Sequence, residues 1–303
     1  MTYVPRPIPS RSEMAPRVIR RPRADTTHRT TPTATRVAVT MTLIVLAALY
    51  LSPFAWLLST SLKTNLQSVA SPPVLFPDPV VWDNYWQALV RMNFGRALWN
   101  TLIYAVPSVL FTIVSCSLVA YGFAIIKWPG RNAVFVLVLA TMMLPSQVTM
   151  IPLYVIYAKL GWINTFLPLI VPTLFGSPFF IFLLRQFFLG IPTELVDAAR
   201  IDGASELRIL FQIVVPLSAP ALITVGLLTF IDKWNDFYGP LIYLQDKTLY
   251  PLSRAVQVFQ SSHKLDWPQS MAAAAIVAVP LVVVYFFAQR KFIEGITLTG
   301  QKG

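Results

Sequence analysis

Six stretches of this chain are apolar enough, and long enough, to cross a bilayer: Val37 to Leu58, Leu98 to Ile126, Ala133 to Tyr157, Phe166 to Leu184, Leu217 to Tyr243 and Met271 to Ala288. A helix of about 20 apolar residues spans roughly 30 Å of hydrocarbon and satisfies its own backbone amides there, which no open strand or loop does. The sequence therefore predicts an all-α membrane protein with six transmembrane helices. Composition agrees, because 55% of the 303 residues are hydrophobic and only 12% are charged, too apolar for an ordinary soluble domain. Pro145, Pro152, Pro168, Pro172 and Pro178 fall in the third and fourth stretches. Each removes a backbone donor, so these two spans are expected to be kinked.

Charge orients the set. With the N-terminus inside, the inside segments hold 16 Lys and Arg and the outside segments hold 8, which places both termini in the cytoplasm. Residues 1–36 supply eight of those basic residues in an Arg-, Pro- and Thr-rich run with no apolar periodicity, a disordered composition. Such a tail suits anionic lipid headgroups better than nucleic acid, since it has no interleaved aromatics and no folded module to read bases. The domains expected are this tail, a permeation domain over 37–288 and a cytoplasmic tail over 289–303. Val37 to Leu58 is longer than a signal h-region and runs on towards Ser61-Leu62-Lys63 without a small-residue cleavage site, so it reads as a retained span.

Catalysis has little to work with. The histidines are His28 and His263 and the single cysteine, Cys116, lies in an apolar helix, which builds neither a metal site nor a disulfide framework. Gly295 to Lys302 resembles a phosphate-binding loop, but its lysine is one place late and no helix follows to present amides to a phosphate. Nucleotide chemistry must come from a partner.

The segment ELVDAARIDGASELRILFQIVVP, residues 194–216, carries four acids and two arginines between two of the most apolar blocks. Pro192 suits a helix start, Thr193 a cap, and Glu194 and Asp197 put negative charge near the positive end of the helix dipole. Gly203 provides a turn, and Ser205 with Glu206 starts a second helix. The pattern predicts a helix-turn-helix along the cytoplasmic face, spanning about 190–216, with Leu195, Ala198, Ala199 and Ile201 available for docking.

Asp197-Ala198-Ala199, three residues, Gly203, nine residues, Ile213, one residue and Val215-Pro216 resemble the EAA motif of ABC importer permeases. Asp197 and Val215 stand where that motif usually has Glu and Leu. With the six-span layout, Trp234-Asn235-Asp236 and the C-terminal segment, the chain from about residue 37 onward resembles carbohydrate-uptake permeases of the maltose-importer type. The resemblance implies a type I ABC importer permease fold in a bacterial inner membrane. It implies a second permease, two cytoplasmic ATPase subunits that bind ATP and Mg, an extracytoplasmic solute-binding protein and a sugar substrate, with no cofactor on this chain. The 194–216 segment would then be the coupling helix: Asp197 pairing with an ATPase arginine, Gly203 setting the bend, Ala198 and Ala199 permitting close approach, and Glu194, Asp202, Ile213 and Pro216 completing the surface. Thr297, Thr299 and Gln301 would reach between the ATPase subunits.

In the fifth span, Asp232, Asn235, Asp236 and Gly239 recur at helical spacing, and ionisable groups at membrane depth usually face protein or water. Two roles are open for Trp234 and Asn235. They line the translocation path, stacking on a sugar ring and bonding its hydroxyls, or Trp234 with Lys233 and Tyr238 anchors the helix at the outer interface. Polyol and glycerol-3-phosphate uptake fit the same class. An ion-coupled secondary transporter would show an internal repeat, which is not evident, and would leave the cytoplasmic motif without purpose.

Overall fold

The computed structural model describes residues 33–261 and 266–300, with side chains described from 35 to 257 except residue 146, and again from 266 to 287. Regular structure among the described residues is helical throughout. Contacts divide the chain inside the first helix, Thr33–Ser61, into one unit ending at Ser52 and another beginning at Pro53. The second unit carries the helices from Asn65 onward.

Its hub is α1, Phe94–Ala124. The buried face of α1 is built largely from small residues, Ala97, Ala105, Ser108, Ser115, Cys116, Ser117, Ala120 and Ala124, which let neighbouring backbones approach closely where no hydrophobic effect drives helices together. Against it pack α2, Pro178–Phe188, and α3, Ala219–Asn235. A Cβ at Gly226 of α3 would meet Ile113 Cδ1 at 3.1 Å and Val109 Cγ1 at 3.6 Å, so glycine sets the α1–α3 spacing. Cys116 is fully buried, as expected of an inert thiol.

Four spans are unbroken by any sharp bend: Thr35–Ser61, Phe94–Ala124, Leu167–Phe188 and Trp267–Phe287. The third expected span is a bent pair, Arg131–Met143 with Gln147–Lys159 at 96°, and the fifth, expected over Leu217 to Tyr243, holds Ala219–Asn235, which Glu206–Leu217 joins at 83°, giving six when each pair counts once. Proline explains both. Leu144 is extended (ψ 118) before Pro145, as the residue ahead of proline prefers, and Pro216 and Pro220 flank the second bend at Ser218. The fourth span departs from regular helix over Val171–Phe175, continues through Gly176 at φ +79° and resumes at Pro178.

Connections are more ordered than their sequences suggest. Residues 62–93 hold a short helix, Asn65–Ser68, closed by a reciprocal Thr64–Gln67 capping box, and the helix Asp83–Arg91. Leu252–Ser261 is helical, with Leu252 and Ala255 buried beside Ala272 and Ala273 of the final helix, Trp267–Gly300.

Replacing Gly226 by Val should overpack the α1–α3 contact and cost about 1–3 kcal/mol. Thermal unfolding of the detergent-purified protein will show this as a lowered midpoint, and an unchanged midpoint would mean that the contact is loose.

Candidate functional site

Helix Thr193–Ile201 opens the EAA-like segment. Its N-cap is Pro192, without a side-chain cap, and Thr193 is already the first helical residue rather than the cap expected for it. Asp202 closes the helix, and Gly203 takes φ +77°. The Gly203 amide donates to Arg200 O (3.0 Å) and the Ala204 amide to Ala199 O (2.9 Å), the paired bonds of a Schellman stop. No atom lies within 4 Å of where a Gly203 Cβ would sit, so only the backbone conformation demands glycine there. Ser205 Oγ then accepts the Arg208 amide and starts Glu206–Ile209. The chain continues through a π-helical turn, Leu210–Val214, into Val215–Leu217. Pro216 lacks the amide that a regular turn would use, which accounts for the widened winding ahead of it.

One face of this segment is rooted in the bundle. Val196, Ile209, Leu210 and Val214 are buried in the same cluster as Cys116, Ala120 and Tyr121 of α1 and Leu184 and Phe188 of α2, with Ala199, Ala204 and Ile213 packed against it. The other face is open. Glu194, Asp197, Ala198, Asp202 and Pro216 are exposed, and so are Leu195 and, most of all, Ile201, at 87%. Of the four residues expected to be free for docking, Ala199 is the one turned inward.

A polar clamp holds the segment, and sequence reading did not find it. Arg200 forks onto Glu206, Nε to Oε1 at 2.9 Å and Nη2 to Oε2 at 3.2 Å, while its Nη1 reaches Asp197 Oδ1 at 3.2 Å. The buried Tyr121 of α1 donates its hydroxyl to Glu206 Oε2. The Arg200 guanidinium and the Tyr121 hydroxyl together hold the Glu206 carboxyl below the usual carboxylate range. Beside the clamp, Arg185 Nε donates to Phe123 O (3.2 Å) and Arg131 Nη1 to Ala124 O (3.3 Å) and Ile126 O (3.1 Å), so cations cap the carbonyl end of α1. The partners are 85 residues apart in sequence, and only the arginine-acid pair within 200–206 left a local trace.

The fifth-span residues separate. Helix α3 ends at Asn235 and Asp236 is extended (ψ 111), so Gly239 belongs to a new helix, Tyr238–Tyr243, and does not continue the face of Asp232 and Asn235. Trp234 is 2% exposed and its indole donates to Val277 O at 3.2 Å. With Asn235 it borders a cleft of about 590 Å³ against the final helix. Asp232 and Asp236 line a different cleft of about 360 Å³, shared with Thr112 of α1 and with Tyr157 and Tyr243. Asp232 pairs with Lys233 at 3.5 Å, and Asp236 Oδ1 accepts the Gly239 amide at 3.0 Å. Thr297 and Thr299 lie in the final helix, but their side chains, like Gln301 and His263, fall outside the described residues.

Tyr121→Phe keeps the buried ring and deletes the hydroxyl that holds Glu206. The expected cost is about 1 kcal/mol, read as roughly fivefold faster limited trypsin cleavage after Arg200 and Arg208. Unchanged cleavage would mean that the clamp adds nothing to the seating of the segment.

Residues 114–297 match the family described as binding-protein-dependent transport system inner membrane component. The chain is 33% identical over 274 residues to the arabinooligosaccharides transport system permease protein of Bacillus subtilis, covering 88% of this chain and 96% of that one. It is 32% identical over 254 residues to the sulfoquinovosyl glycerol transport system permease protein of Agrobacterium fabrum, covering 84% and 89%. Its fold is similar to that in the crystal structure of a bacterial ABC transporter involved in the import of the acidic polysaccharide alginate, with a TM-score of 0.74, 22% identity and coverage of 95% of this chain and all of that one. The family match spans α2, the EAA-like segment and α3, and on that ground the chain belongs to the binding-protein-dependent transport system inner membrane components, the permease subunits of ABC importers.

Proposed function

We propose that the chain is one of two permeases in an ATP-driven sugar importer, with both termini in the cytoplasm and the 193–217 segment seated on a cytoplasmic ATPase subunit. The observation that carries this reading is the two-faced segment itself: a charged helix with an exposed tip, fastened to the bundle by Val196 and by the Tyr121–Glu206–Arg200 clamp. A helix held so firmly on one side and bare on the other suits the transmission of a push. ATP and Mg belong to the ATPase partners, whose closure would move the segment and with it α1 and α3. The sugar assignment draws on the relatives' transport of arabinooligosaccharides and sulfoquinovosyl glycerol. An extracytoplasmic solute-binding protein delivers the substrate. Thr297, Thr299 and Gln301 add an ATPase contact.

Asp197 is 64% exposed and its partner, Arg200, already serves Glu206. An incoming ATPase arginine can therefore take Asp197 without dismantling the clamp. The exposed acids and Ile201 form the rest of the seat.

Copurification of the ATPase with permease variants tests the assignment. Gly203→Val should lose the ATPase, because a β-branched residue resists positive φ, whereas Gly203→Asn, which tolerates that conformation, should keep much of it. Asp197→Ala should weaken retention and abolish uptake, and Asp197→Glu should preserve both. Full retention and normal uptake in Gly203→Val and Asp197→Ala together would overturn the coupling role.

A further inference from the structure

The cleft between α1, the fourth span and α3 carries Asp232, Lys233, Asp236 and three threonines among its apolar lining, where a lipid-facing surface would carry no charge. Asp232 lies thirteen residues beyond Ala219, about 20 Å along α3 at 1.5 Å per residue, and its side chain is 72% exposed. Beside it stand Asp236, Lys233, Thr112 and the edges of Tyr157 and Tyr243, whose rings meet edge to face at 5.4 Å. Ionisable groups at that depth face water or protein, since exposure to hydrocarbon costs several kcal/mol by the insertion scales.

We infer that this cleft is a sugar subsite of the translocation path and that it admits neutral polyhydroxylated sugars while rejecting anionic ones such as uronates. The inference rests on the importer reading above and adds the charge class of the cargo. Its chemistry is a surplus of acceptors. Two carboxylates and the threonine and tyrosine hydroxyls offer bonds to sugar hydroxyls, and the aromatic rings offer apolar contact to ring C–H groups. The one cation among the described lining residues, Lys233, is engaged by Asp232 at 3.5 Å and is only 19% exposed. On this chain's side of the path, a sugar carboxylate would meet two like-charged side chains and no cation free of a partner, an arrangement that serves discrimination more than affinity. The fold does not fix this property, because the alginate importer of similar fold handles an acidic polysaccharide. The lining side chains would fix it.

A cysteine placed at Thr173, a half-exposed lining residue, reports on the cleft, with the buried Cys116 as background. The assembled importer in liposomes is labelled with a water-soluble maleimide in the presence of a neutral hexose trisaccharide or a uronate trisaccharide. The neutral sugar should slow labelling about tenfold and the uronate should leave it unchanged. Asp232→Asn, which frees Lys233, should make the uronate protective too. Equal protection by both sugars in the parent, protection by the uronate alone, or protection by neither overturns the inference. No labelling at all would show that the cleft is closed to water, overturning the path reading and this inference with it.

Discussion

A backbone amide inside hydrocarbon must find its carbonyl within its own helix, and a proline has no amide to offer. Much of the architecture follows from where that constraint is broken. The third span is bent by 96° and the EAA-like segment turns into α3 by 83°, and both bends sit beside prolines. The fourth span, too, carries prolines, and its carbonyls are met inside the bundle: from α1, Ser108 Oγ donates to Leu169 O at 3.3 Å, just ahead of the irregular stretch, and Ser115 Oγ to Thr173 O at 3.0 Å within it. The small and hydroxyl-bearing residues of α1 thus serve two needs, close packing and the satisfaction of their neighbours' carbonyls. The polar cleft lies where the fourth span leaves regular helix and where α3 ends.

The second bend also decides how the EAA-like segment meets the bundle. Because Glu206–Leu217 turns by 83° into α3, the segment runs across the end of the bundle, where Tyr121 can reach it. Apolar burial of Val196, Ile209 and Leu210 supplies the attachment, at about 1.5–3 kcal/mol for each fully buried side chain. The clamp adds direction rather than much energy, since its carboxylate is 44% exposed and water screens the charges. A bidentate arginine fixes an angle as well as a distance, and the hydroxyl of Tyr121 ties that angle to α1.

Local chemistry was legible in the sequence and long-range chemistry was not. The stop at Gly203, the start at Ser205 and the charged first turn are each set by residues within a few positions of one another, so spacing was enough to find them. Hydropathy located the six spans, but it carries no angle, and the prolines marked where the third span breaks without saying by how much. Tyr121 gave no signal, because its partner Glu206 is 85 residues away. The fifth span misled for a related reason: helical spacing across 232–239 assumes an unbroken helix, whereas α3 stops at Asn235 when Asp236 turns its carboxylate back to cap the Gly239 amide. Trp234 looked like a path or interface residue, and burial against the final helix became visible only once that helix was in place.

On this account the EAA-like segment and α1 move as one body. Spin labels on cysteines at Leu207, an exposed residue of the segment outside the docking seat, and at Lys127, just past the end of α1, measure this in the assembled importer by pulsed electron paramagnetic resonance. The distance between them should stay constant within about 2 Å between nucleotide-free and ATP-bound states, because the clamp and the shared apolar cluster leave no slack. A shift of about 5 Å, one helical turn, between those states would show that the segment slides over α1 and would contradict the account.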